Sequence, residues 1–336
     1  MFFCFCSVFF GKIVAAQIRS RLTSQLVIIL SRIVFVLSLL FISVSISADD
    51  SYRYSLAGSY TDVDFGGKAE GELWGVSGAF YFEPVSLDGA IPYASTAFYT
   101  RTSAISVESR SFEYWDLNIV SPLGVLKQRK GDFFTYNVHL AKKELPLWVK
   151  LTATKVGSEG MLFSSSRVYK SFSRHIYDVK LGWFITEHTS LNGLYSQDKD
   201  LKSQTFGLAL EGLFILGEYG FISARLDFQE DHSETIEQEV VRGSIRNLDT
   251  KPINKEERGL ALSYFPNVAT EVGLSRRELT DDQNIRDTNS MSFYGSYFLT
   301  ARLKLKLSYL KYEISSYPWD LIYDNEQLTA DISYRF

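Results

Sequence analysis

Cysteine is almost missing from this chain of 336 residues, since only Cys4 and Cys6 occur and both lie at the N-terminus. A disulfide framework and a thiolate metal site are therefore excluded for the rest of the chain. Histidine is also scarce, and the four histidines are His139, His175, His188 and His232. They lie far apart in the sequence and share no metal-ligand spacing, so we expect neither a metal nor another cofactor.

Acidic residues are missing from the first 48 positions, which contain four basic residues. An apolar, serine-rich run from Ile33 to Ala48 follows, and it ends with small residues before Asp49. This order is typical of a secretory signal peptide, so we predict cleavage of residues 1–48 and a single domain over 49–336. The apolar run is 16 residues long. A membrane-spanning helix needs about 20, which disfavours a retained anchor.

A basic surface is missing as well. Removal of the signal peptide takes away its four positive charges and leaves 31 Lys and Arg against 39 Asp and Glu, a formal net charge of −8. A nucleic-acid partner would need a basic stripe, so none is expected. The serines of "FSSSR" (163–167) lack the context of a nucleophile elbow, and no enzyme activity is expected. The basic region is long for a signal peptide, so a translation start near Leu26 is an alternative.

What the sequence does contain is alternation of apolar and polar residues, most clearly at its end. One set of alternate positions is apolar and comprises Leu328, Ala330, Ile332, Tyr334 and Phe336. The other set is polar and comprises Gln327, Thr329, Asp331, Ser333 and Arg335. Because successive side chains of a strand point to opposite faces, this pattern predicts a β-strand with one apolar face.

Similar segments of about ten residues recur from residue 52 onward, and in several of them the polar face carries charge. In "RLKLKLSY", for example, Leu305 faces one way and the neighbouring lysines face the other. The charged residues assigned to the polar face are Arg225, Asp227, Glu271, Arg302, Lys304, Lys306 and Asp331. If the apolar face meets lipid, these seven side chains line a water-filled interior.

The connections between these segments alternate between short and long, as in an up-and-down antiparallel meander. A β-structure can cross a bilayer only as a closed barrel, because lipid offers no partner to an open edge. Aromatic residues near strand ends, among them Trp183, Phe184, Tyr264 and Phe265, suit the girdles of such a barrel. The sequence therefore predicts an all-β fold, a transmembrane antiparallel β-barrel.

The predicted barrel has about 14 strands. Counting back from Phe336 gives eleven strands to Phe133, and segments 52–62, 71–82 and 93–106 complete the number. An even number is expected when both termini lie on the same side of the membrane.

Segment 108–131 is ambiguous, because "FEYWDLNIV" within it also reads as a strand. We predict an outer loop or hairpin extension there. Barrels of sixteen or twelve strands are the alternatives.

The ending, with a final Phe336 and apolar residues at alternate positions before it, resembles the C-terminal signature of bacterial outer-membrane barrels. The mature chain, and especially "GAFYFEPVSLDGAIPYASTAFYTR", resembles the general porins of gammaproteobacteria. This resemblance implies the outer membrane of a Gram-negative cell, contact with its lipid and lipopolysaccharide, and recognition of the last strand by the barrel-assembly machinery. It also implies passive diffusion of small hydrophilic solutes or ions, and a homotrimer by analogy with that family.

Two functional alternatives remain open from the sequence. The first is a diffusion pore, and the second is a non-conducting barrel with a structural, adhesive or rim-enzyme role. The longest connection, 229–255, is predicted either as a solvated outer loop or as a loop that folds inward and narrows the pore. In the second case its charged residues would set a transverse field, and these are Glu237, Glu239, Arg242 and Arg246. The sequence does not identify the solute.

Overall fold

The computed structural model describes residues 51–64, 69–87, 91–116, 127–162, 167–200, 202–235, 238–241, 244–247, 251–281, 286–316 and 321–336. The predicted signal peptide lies outside these residues.

The described residues form a closed antiparallel barrel of fourteen strands, as predicted. Its strands are β1 (Ser51–Asp64), β2 (Ala69–Ser86), β3 (Ala104–Asp116), β4 (Lys127–Ala141), β5 (Leu147–Leu162), β6 (Arg167–Thr186), β7 (Thr189–Asp198), β8 (Ser203–Ile215), β9 (Phe221–Thr235), β12 (Lys251–Asn267), β13 (Thr270–Asp281), β14 (Arg286–Phe298), β15 (Leu303–Ser316) and β16 (Leu321–Arg335). A small hairpin of β10 (Gln238–Val241) and β11 (Ser244–Asn247) lies between β9 and β12 in sequence. Each barrel strand pairs with its neighbour in sequence, apart from this insertion, and β1 pairs with β16 to close the cylinder.

Alternation decides which side chains face outward. Leu305 and Leu307 of β15 are 40% and 62% exposed, and large apolar side chains at alternate positions of the other strands are exposed in the same way. Ile332 is only 9% exposed, although it lies in register with Leu305 and so shares its outward face. Its other register partner is Gly58, and its Cγ2 methyl group packs over that glycine. The outer wall is therefore apolar.

The two rims differ. Ser51 and Phe336 lie at the same rim, because β1 and β16 are antiparallel neighbours, and we call this the terminal rim. The predicted short connections all lie there, as the turns 142–146, 187–188, 216–220, 268–269 and 299–302. In the β8–β9 turn, Gly220 has a positive φ, and a Cβ atom there would collide with the Phe265 carbonyl. The opposite rim is called the distal rim.

At the distal rim the strands are longer than the sequence predicted. The sequence also predicts a long connection at 155–174, but β5 and β6 occupy all but four of its residues. Likewise β9 and β12 extend into segment 229–255. The prediction that this segment is a single loop is therefore wrong at both of its ends. Polar residues on both faces hide such extensions from sequence, because a strand that rises above the membrane meets water on each side.

The third strand was misplaced. It is not at 93–106 but is β3, which includes the beginning of the predicted loop 108–131. Most of segment 93–106 instead surrounds a one-turn helix, α1 (Thr96–Tyr99). Local hydrogen bonds favour this helical turn over pairing in a β-ladder. The Thr96 hydroxyl donates to the Pro92 carbonyl over 3.0 Å, and the Thr100 hydroxyl donates to the Thr96 carbonyl over 2.8 Å.

Candidate functional site

Charged side chains form a belt around the lumen wall, in the half of the barrel nearer the terminal rim. On β9, Arg225 Nε lies 3.3 Å from Asp227 Oδ1, and the Asp227 side chain is buried against Gly259 of the next strand. Farther round the wall, Lys304 Nζ lies 3.9 Å from Glu271 Oε2. In both pairs the cation lies close to an anion, which is on the same strand for Arg225 and two strands away for Lys304.

The same arrangement continues across the barrel seam. Lys306 of β15 is in register with Asp331 of β16, and the two interact electrostatically. Arg110 of β3 also interacts with Asp331, although β1 and β2 lie between their strands. Arg110 in turn forms an ion pair with Glu108, with Nε 2.5 Å from Oε1. The belt therefore mixes both signs.

Six belt residues were missed by the sequence analysis: Glu108, Arg110, Lys150, Asp178, Lys180 and Glu211. Lys150 interacts with Asp178 and Glu108, and Glu211 interacts with Arg225 and Lys180. Period-2 alternation would have found them, because in "YDVKLGWF" the aspartate and lysine alternate with outward-facing Tyr, Val and Leu.

Other predicted site residues lie elsewhere. Arg302 is in the β14–β15 turn at the terminal rim, where its Nη2 donates to the Ser51 carbonyl over 3.3 Å. Glu239 and Arg246 are opposed in the β10–β11 hairpin. Glu237 and Arg242 lie outside the described residues.

The C-terminal residues close the barrel. The Phe336 N–H donates to the Tyr54 carbonyl over 2.9 Å, and the Tyr54 N–H donates to the Phe336 carbonyl over 2.8 Å. The two rings stack with centroids 5.8 Å apart. Leu328 on the same strand is exposed on the outer wall.

The chain between β2 and β3 lies across the terminal mouth of the barrel. We call residues 91–103 the mouth segment. Its Tyr93 N–H donates over 2.9 Å to the Val268 carbonyl in the β12–β13 turn, on the far side of the barrel from β2 and β3. Arg335 of β16 donates to the Tyr93 carbonyl over 2.8 Å. The mouth segment is therefore tied to the wall well away from the strands that it joins.

Aromatic packing holds the middle of the mouth segment. The Phe98 ring lies 5.7 Å from Trp148 and 5.4 Å from Phe184, centroid to centroid. Tyr99 is buried in the same cluster, and burial raises the pKa of its hydroxyl, which therefore stays neutral. Arg101 lies over the Phe184 ring at 4.3 Å and donates to a carbonyl of the β4–β5 turn over 3.1 Å.

This cluster corrects part of the predicted aromatic girdle. Trp183 and Tyr264 are exposed on the outer wall, at 58% and 41%, as a girdle requires. Phe184 and Phe265 are only 4% and 2% exposed, because adjacent residues of a strand face opposite ways and these two point into the mouth cluster.

A cavity of about 550 Å³ lies on the distal side of the belt, against the wall formed by β12 to β16. Six aliphatic hydroxyls line it, and they belong to Ser275, Thr288, Ser290, Ser292, Ser308 and Thr329. Tyr294 and Tyr312 add two phenol groups. The opposite wall at the level of the belt instead carries long charged side chains such as Lys150 and Lys180.

The described part of the chain contains no cluster of three or more metal-ligating side chains. Nor does it contain a helix long and apolar enough to span a membrane. Of the "FSSSR" stretch, 163–166 lie outside the described residues.

A closed cylinder with an apolar exterior and a charged interior has the fold of an outer-membrane β-barrel. No model of a protein family and no curated protein matches the sequence.

Among solved structures, the chain is similar to the TodX deltaS2S3 mutant, a monoaromatic hydrocarbon channel. Sequence identity is 9%, the TM-score is 0.53, and the match covers 85% of this chain and 90% of that one. The chain is also similar to the outer membrane protein Omp33 of Acinetobacter baumannii, with 15% identity and a TM-score of 0.48 over 85% of this chain and 99% of that one. At these identities the similarity concerns the fold alone.

Proposed function

We propose that the protein is a porin in the outer membrane of a Gram-negative cell, through which small hydrophilic solutes or ions diffuse passively. The observation that carries this proposal is the contrast between the two faces of the wall. Leucines cover the outside, whereas Arg225, Asp227, Glu271 and Lys304 lie in the lumen. The apolar exterior supports insertion in lipid by the barrel-assembly machinery, with lipid and lipopolysaccharide around it.

A polar lumen supports a water-filled path, because charged groups in a dry interior would cost several kcal/mol each. Barrels of about eight strands are filled by their own side chains, whereas wider ones leave room for water. The cavity of about 550 Å³ on the distal side of the belt is room that water can fill.

The mouth segment is the proposed constriction of the pore. It crosses the terminal mouth and is held by Phe98, Tyr99 and Arg101. This proposal replaces the inward-folding loop at 229–255 that the sequence suggested, because β9 and β12 take up 229–235 and 251–255 of that segment.

Planar bilayer recordings and liposome swelling test the proposal. Protein whose folding is verified by heat-modifiable gel mobility should give discrete current steps in KCl, and liposomes containing it should swell faster in small sugars than in large ones. Folded protein that produces neither current nor swelling would rule out the diffusion pore.

The mouth segment also favours a second candidate, a non-conducting barrel with a structural or adhesive role. The two candidates are separated by a variant in which 93–101 are replaced by a short Gly-Ser turn. If the native protein is silent and only this variant conducts, the native barrel is closed and the second candidate is correct.

A further inference from the structure

The cavity between the belt and the distal rim has a wall of unusual chemistry. Six aliphatic hydroxyls and two phenols line it, and Leu279 and Leu310 supply apolar surface. A volume of about 550 Å³ lies within the range of roughly 300–1,000 Å³ typical of small-molecule sites. The wall thus offers many hydroxyl groups, and its three ionised residues, Glu257, Arg277 and Lys306, add up to a formal charge of +1.

The hydroxyls retain bonding capacity. Ser275 and Ser292 Oγ atoms lie 2.7 Å apart, and Thr329 Oγ1 lies 2.9 Å from that of Thr61. A hydroxyl has one hydrogen to donate and two lone pairs to accept, so each bonded pair still offers one hydrogen and several acceptor positions. Such a wall can both donate to and accept from a solute that itself carries hydroxyls.

The ionised groups at the cavity are already compensated. Arg277 Nη1 lies 2.9 Å from Glu257 Oε1. Lys306 interacts with Asp331 and lies 4.9 Å from the centroid of the Tyr294 ring. A charged solute would have to compete with these contacts, whereas a neutral solute would leave them intact.

Apolar surface occurs beside the hydroxyls. The rings of Tyr294 and Tyr312 and the side chains of Leu279 and Leu310 line the same space. A sugar ring presents hydroxyls at its edge and C–H groups on its faces, and aromatic rings with a polar tip suit both.

We propose that this cavity is a binding site for neutral polyhydroxylated solutes of the class of mono- and disaccharides. The inference rests on the proposed function in one respect, since the solute reaches the site through the lumen.

Sucrose is the probe, and lactobionate, an anion of similar size, is the comparison. Calorimetric titration of the detergent-folded protein should show saturable binding of sucrose and much weaker binding of lactobionate. Where the protein conducts, sucrose should also reduce its open-channel current with the same concentration dependence.

The triple variant Ser275→Ala, Ser292→Ala, Ser308→Ala removes three hydroxyls without adding bulk, and it removes both members of the bonded pair. Each lost hydrogen bond weakens binding by roughly two- to twelvefold, so the sucrose concentration for half-saturation should rise by about tenfold or more. The matched control is Ser196→Ala on β7, whose position faces the lumen away from the cavity lining. It should bind sucrose like the native protein.

Three outcomes are distinguishable. Saturable sucrose binding without conduction would overturn the proposed function and keep this site. Conduction without saturable sucrose binding would overturn the site and keep the function. Equal binding by the triple variant and the native protein would also overturn the site.

Discussion

The terminal mouth and the distal half of the lumen are built by the same strands but filled differently. At the terminal mouth, inward positions of β5, β6 and β12 carry Trp148, Phe184 and Phe265, which pack on the mouth segment. In the distal half, inward positions of β13 to β15 carry serines that face a cavity. The comparison teaches that period-2 alternation marks the two faces of a barrel wall, but it does not tell whether the inner face meets water or protein.

The strongest test of this comparison is to remove the mouth segment from the terminal mouth. Replacing 93–101 by a short Gly-Ser turn should raise single-channel conductance several-fold, because it removes the aromatic cluster from the proposed constriction. The control replaces 238–247, the distal hairpin, by a turn of the same kind, and its conductance should stay at the native value. Equal conductance of both variants would place the constriction elsewhere.

Packing at the terminal mouth should contribute more to stability than the distal lumen does. Phe184→Ala should lower the free energy of unfolding by about 3 kcal/mol, the lower end of the range for Phe in a packed core. Ser292→Ala in the cavity should change it by less than about 1 kcal/mol. Urea unfolding in lipid vesicles measures both, and a small effect of Phe184→Ala would indicate a hydrated mouth.

The inner and outer faces of the wall beside the cavity should differ in their tolerance of charge. Leu307→Arg places a cation against lipid and should cost up to about 2–4 kcal/mol, depending on its depth in the bilayer. The neighbouring Ser308→Arg points into the lumen and should cost markedly less. Urea unfolding compares the pair, and equal costs would contradict a lipid-facing Leu307.

The smallest expected effect concerns ion selectivity at the belt, between the two regions. Glu271→Gln leaves Lys304 without its anionic neighbour, so the reversal potential in a KCl gradient should shift toward chloride. Lys304→Gln should shift it the opposite way. Glu218→Gln, in the exposed β8–β9 turn, is the control and should leave it unchanged.

Wall orientation followed from the sequence because it depends on alternation alone, whereas the number fourteen was reached with one strand placed at 93–106 instead of at β3. In β16, for example, Asp331 faces inward and Leu328 is exposed on the outer wall, as alternation requires. The same rule, applied to every strand, would also have identified Lys180 and Glu211 in the belt.

The mouth segment could not be predicted in this way. Its apolar residues contact the lumen wall in several directions, so they follow no fixed period, and "YASTAFYTRT" passed for a strand. The cavity was missed for a different reason. Serines on β13, β14 and β15 become a single surface only when these strands pair in register, and one strand alone gives no sign of it.

The pairing of β1 with β16 has a consequence for biogenesis. The hydroxyls of Thr61 and Thr329 meet across positions 268 apart in the chain. Contacts so distant in sequence form late, because a long loop must close before they bring any gain. Until then the first strand keeps an unpaired edge, so protection of that edge before the barrel closes should govern the yield of assembled protein.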